Sequence, residues 1–117
     1  YKKKDMKVRT QIAVKTAKSG IRVVMLTDIL YLKSEGRYTI INLKDNTSLV
    51  ACKNLGIYEE LFKDINFIRV HNSYIVNFQH VNQIIRDSGG QYCVLFNDKI
   101  IPISNRKFSG VKDHLHY

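Results

Sequence analysis

With 117 residues, 44% of them hydrophobic, the chain is sized for one domain with a real but modest core. Its 19 lysines and arginines against 10 acids give +9 and a pI near 9.7, a balance that favours a polyanionic partner such as nucleic acid or an anionic membrane. No apolar stretch approaches the roughly 18 residues of a spanning helix and no signal-peptide pattern opens the chain, which argues against a membrane segment and for a cytoplasmic protein.

The charge is unevenly placed. Residues 1–22 carry Lys2, Lys3, Lys4, Lys7, Arg9, Lys15, Lys18 and Arg22 against the single acid Asp5, a local +7 that leaves only +2 for residues 23–117. Residues 1–9 read as a basic, solvated linker or tail, and residues 10–117 as the domain. Because the chain opens on Tyr1 and not Met, it is expected to be a piece of something longer. With a nearly neutral body, any phosphate contact there must come from a few well-placed side chains.

From Gln11 onward, β-branched and aromatic residues recur in short runs separated by turn chemistry at Lys18-Ser19-Gly20, Glu35-Gly36, Lys44-Asp45-Asn46, Asp87-Ser88-Gly89-Gly90 and Asn97-Asp98. The runs predict strands at 11–15, 21–26, 29–33, 37–43, 48–52, 68–70, 73–76, 81–86, 91–96 and 100–103. Between the fifth and sixth, Leu55, Tyr58, Leu61 and Phe62 fall at helical spacing behind Asn54 as N-cap, so 54–62 reads as a short helix covering a sheet. Phe108, Val111 and Leu115 form a second stripe with Ser104 or Ser109 as cap, which predicts a terminal helix beginning just after Arg106-Lys107. The class is therefore all-β dominated, an antiparallel fold of about ten strands with one short internal and one short C-terminal helix.

Cys52 and Cys93 lie among apolar neighbours in no metal-like spacing and read as small core residues of a reduced protein. His71, His80, His114 and His116 share no ligand spacing with cysteine or carboxylate, and no Gly-rich phosphate loop follows a strand. No catalytic centre, metal or cofactor is expected, and the chain does not read as an enzyme.

The segment from Phe67 to Phe78 sets Arg69, His71, Asn72, Ser73 and Asn77 among residues that otherwise favour a sheet interior. Such groups are costly to bury unpaired, so they form a satisfied network or face something polar. Arg69, Asn72, Asn105, Arg106 and Lys107 are of the types that reach base edges or phosphates. The plainer alternative is local: Asn72 and Ser73 in a turn bonding its own backbone, and Arg69 paired with an acid such as Asp64.

Four motifs in order tip the balance. Asp28-Ile29-Leu30-Tyr31-Leu32 with Ser34-Glu35-Gly36-Arg37-Tyr38, then the 55–61 helix, then Phe67-Ile68-Arg69-Val70-His71-Asn72-Ser73-Tyr74-Ile75-Val76-Asn77, then Ile101-Pro102-Ile103-Ser104, together resemble the LytTR family. The resemblance covers nearly the whole chain from about Gln11 to Leu115. Members are DNA-binding output domains of bacterial response regulators. The resemblance implies an elongated antiparallel β-sheet sandwich that binds double-stranded DNA through loops in successive major grooves. It further implies an upstream receiver or sensor domain in the full-length chain and a dimer on repeated half-sites.

Carried over position by position, the resemblance places DNA contacts at Arg37, at Arg69, His71 and Asn72, and at Asn105, Arg106 and Lys107, with Arg106 foremost. The chain departs from the family where Asn105 replaces an arginine of a frequent Ser-Arg-Arg run, and where uncharged Asn72 follows His71 in place of Arg or Lys. The first change offers an amide suited to adenine in place of guanine or phosphate, and the second trades phosphate affinity for a base contact. Two readings of other classes compete: a protein-interaction module whose strand edges pair with a partner chain, and a membrane-surface module held by Lys2-Lys3-Lys4.

Overall fold

A computed structural model describes residues 9–18 and 20–116. The basic linker expected at 1–9 therefore lies, except for Arg9, outside the described residues, as does Ser19 of the first turn. Ten strands form in the expected order: β1 (Gln11–Lys15), β2 (Ile21–Met25), β3 (Ile29–Glu35), β4 (Tyr38–Leu43), β5 (Ser48–Ala51), β6 (Phe67–His71), β7 (Tyr74–Asn77), β8 (Val81–Asp87), β9 (Gly90–Leu95) and β10 (Ile100–Ile103). Two α-helices join them, α1 (Leu55–Leu61) and α2 (Asn105–Leu115).

All pairings are antiparallel and divide the strands into a β1-β2 hairpin, a five-stranded sheet of order β5-β4-β3-β7-β6 and a three-stranded sheet of order β10-β9-β8. The five-stranded sheet is central because it buries both faces. On one side Leu32, Ile41 and Ile75 pack with Ile12, Val14 and Val24 of the hairpin and with Leu55 and Tyr58 of α1. On the other, Leu30, Val70 and Val76 pack with Cys93 and Leu95 of β9, Ile101 and Ile103 of β10, and Phe108 and Val111 of α2. A register shift between Ile29 and Tyr31 lets the adjacent residues Leu30 and Tyr31 both reach the second core, which strict alternation forbids.

Asn77 ties the layers together. It is 2% exposed, donates through Nδ2 to the Leu26 carbonyl at 3.2 Å and the Ile29 carbonyl at 2.9 Å, and accepts from the Gln79 N–H at 3.0 Å. Of the polar residues in the 67–78 segment, this one is internal glue. Neither cysteine is bonded: Cys52 is half-buried and Cys93 buried. No helix among the described residues is long and apolar enough to cross a membrane.

Candidate nucleic-acid interface

Three connections meet at one end of the central sheet, and the register explains why. Strand β3 is hydrogen-bonded on one side to β4 and on the other to β7, with Lys33 opposite Tyr74. One residue further on, the Ser34 N–H donates to the Ser73 carbonyl at 2.9 Å. The β3–β4 turn at Gly36-Arg37 and the β6–β7 turn at Asn72-Ser73 therefore sit side by side. Gly36 has φ +60, the left-handed value that the first residue of this two-residue hairpin turn needs. Arg37 is exposed and, among the described residues, makes no hydrogen bond or ion pair.

The third connection is corrected by the structure. Asn105, Arg106 and Lys107 were expected in a loop with the helix starting after them, yet they form the first turn of α2. Ser104 is the N-cap: its side-chain oxygen accepts from the Lys107 N–H at 3.3 Å. The Ser104 N–H in turn donates to the Val70 carbonyl at 2.9 Å, seating the start of α2 beside β6. Arg106 thereby points from a fixed helical turn towards the β6–β7 turn, where its Nη2 donates to Asn72 Oδ1 at 3.0 Å.

The β6–β7 turn is braced from within. Arg69 donates through Nε to the His71 carbonyl at 3.2 Å, through Nη2 to the Asn72 carbonyl, and through Nη1 to Glu59 Oε1 of α1 at 2.7 Å. Its acid partner is Glu59 and not the sequence-nearer Asp64, because α1 folds across β6 and presents its last turn to it. All three nitrogens of Arg69 are thus occupied by its own chain. His71 accepts the Ser73 N–H on Nδ1 at 3.1 Å, so its neutral ring carries the proton on Nε2, and it meets Tyr74 edge-on at 5.7 Å. The turn does bond its own backbone, but through these two side chains, which leaves Asn72 exposed with its amide donors available.

A fourth connection reaches the same end. Gln91 opposes Ile103 across β9 and β10, and its buried amide donates to Asn105 Oδ1 at 2.6 Å. The β8–β9 turn at Ser88-Gly89 therefore flanks a cleft whose other walls are His71, Ser104 and Asn105. The sequence marked Gly89-Gly90 only as a turn; nothing local signals that β9 carries it beside His71. Lys107 is half-buried in a groove between α1 and α2 that Lys63, Arg69 and Arg106 also line. Among the described residues no three His, Cys, Asp or Glu side chains gather as a metal site.

Comparison with known proteins bears on the family and the fold. A family model described as the LytTr DNA-binding domain matches residues 19–116. The sensory transduction protein LytT of Bacillus subtilis (strain 168) is 29% identical over 98 residues, which are 83% of this chain and 40% of that protein. The chain thus spans 40% of the length of this curated relative. Among solved structures, a LytTr DNA-binding domain from Bacillus cereus superposes with a TM-score of 0.80 at 23% identity, covering 94% of this chain and all of that one.

Proposed function

The chain belongs to the LytTr DNA-binding domain family, a family of DNA binders and not of enzymes, and from that premise we propose that it is the output domain of a bacterial response regulator that reads duplex DNA sequence-specifically. In this reading Arg106 and Asn72 reach base edges and Arg37 supplies the contact from the adjacent turn. Lys107 and the remaining donors of Asn105 hold the flanks, and Arg69 and His71 position the turn without touching a base. The turns enter successive major grooves. In the full-length protein, residues 1–9 connect the domain at 10–117 to a receiver or sensor domain upstream. Two copies act in the cytoplasm on repeated half-sites.

One observation carries the reading: two side chains suited to base edges, 34 positions apart, are joined by a 3.0 Å hydrogen bond on an exposed end of the fold. Asn72 accepts from Arg106 through Oδ1 and keeps its Nδ2 donors, so the bond aligns the two side chains towards one patch. Selection of bound duplexes from a random pool tests it. A preferred sequence should emerge, and Arg106→Ala should weaken binding to it by about 1–3 kcal/mol while barely changing binding to mixed-sequence duplex. Equal losses on both would reduce Arg106 to an electrostatic contact.

A further inference from the structure

A second basic site lies on the far flank of α2. Arg86 of β8 sits with its guanidinium carbon 4.9 Å from the centre of the Phe108 ring, and Lys112 of α2 places its ammonium 5.3 Å from the same centre. The two cations are therefore no more than about 10 Å apart. Neither makes a hydrogen bond or an ion pair among the described residues. Phe108 is 7% exposed, so the ring is fixed in the core and the two side chains cover what little of it meets solvent.

Cation–π contact of this kind holds a long side chain in place at a cost in neither charge nor donors. Two like charges gathered on one ring, neither ion-paired among the described residues, repel each other, and a polyanion relieves that repulsion. The location is also specific. Arg86 opposes Gln91, the residue whose amide grips Asn105, and Phe108 follows Asn105 by one helical turn. The pair thus flanks α2, with Arg86 beside Phe108 in its first half and Lys112 in its last turn, on the side away from the groove that holds Lys63, Arg69 and Lys107.

We infer that Arg86 and Lys112, pinned over Phe108, form a phosphate-binding site for the DNA backbone outside the three sequence-matched segments. The inference rests on the DNA-binding reading above and widens its footprint. Residues 23–117 hold eleven lysines and arginines against nine acids, so a phosphate strand gains most there from cations that, like these two, have no acid partner among the described residues. Such contacts carry no base information, so they add affinity and salt dependence and leave preference untouched.

The test is the salt dependence of binding by the whole chain, read by fluorescence anisotropy on a selected duplex and on a mixed-sequence duplex of equal length. With Arg86→Gln and Lys112→Gln together, the slope of log affinity against log salt should become shallower by about 1.8, roughly 0.9 per lost contact. The fall in affinity between about 50 and 200 mM salt would then shrink by roughly twelvefold, equally on both duplexes. Arg86→Lys with Lys112→Arg keeps both charges and should retain the wild-type slope, which separates a charge effect from damage to the Phe108 packing. An unchanged slope in the glutamine variant overturns the site. So does a loss confined to the selected duplex. If that happens while Arg106→Ala still erases preference, the DNA-binding reading stands without this site; if the unmodified chain binds neither duplex, both fall.

Discussion

Arg69→Met separates bracing from contact. The substitution keeps an apolar stem of similar length but removes three donations, to the carbonyls of His71 and Asn72 and to Glu59. Each backbone bond is worth about 0.5–1.5 kcal/mol net, so the two contribute roughly 1–3. The Glu59 pair adds less than about 1, because the Glu59 side chain is 46% exposed and water screens it. A loosening of the β6–β7 turn by about 2 kcal/mol should speed exchange of the Ser73 amide, which is bonded to His71 Nδ1, by more than tenfold. Affinity for the selected duplex should drop because Asn72 is no longer held, while the salt slope stays as in the parent chain. Lysine should not rescue, since a point charge cannot serve three acceptors fixed in a plane. A slope shallower by about 0.9 with unchanged exchange would refute the reasoning and make Arg69 a phosphate contact.

Asn77→Ala removes three buried or half-buried hydrogen bonds, to the Ile29 carbonyl, to the Leu26 carbonyl (which keeps the Ile29 N–H) and from the Gln79 N–H, and should cost roughly 2–4 kcal/mol in urea unfolding. A cost below about 1 would mean water replaces the side chain. Ser104→Ala should remove about 1 kcal/mol of helix stability and, by fraying the turn that carries Arg106, lower affinity for the selected duplex, whereas Ser104→Thr, which keeps a neutral capping hydroxyl, retains most of both. Burial pushes the Cys93 thiol up to about 12 and also raises the Tyr58 phenol. A raised folded value means stability fully present below the unfolded thiol's range and lost as pH climbs through the folded one. Between about pH 8 and pH 11 the urea midpoint of the parent should therefore fall further than that of Cys93→Ala, with Tyr58 leaving a residual fall in both. In the native protein a thiol reagent should label half-buried Cys52 well before Cys93.

The strand bounds were legible because each run ends in its own turn chemistry. Strands β1 and β10 begin and end where the pattern puts them, and Asn54 caps α1 as its side chain requires. The start of α2 was misplaced because its first turn faces outward. Asn105, Arg106 and Lys107 add nothing to the apolar stripe, so periodicity begins only at Phe108 while the cap acts from Ser104. Pairings between distant segments were not legible at all. Arg69 is nearer in sequence to Asp64 than to Glu59, and only the passage of α1 across β6 decides between them. The division into three sheets, with β7 inserted beside β3, likewise depends on long-range burial of both faces and has no local signal.

Strand β3 acts as a common ruler. Because it bonds to β4 and β7 at once, its alignment sets the relative height of Arg37 and Asn72. Sliding it by one residue would put Tyr31 or Lys33 where Leu32 is buried, so core packing on both faces holds this alignment. The spacing between these two side chains is accordingly set by the core, and changing it takes a one-residue bulge, such as β3 already carries before Tyr31, or a longer turn.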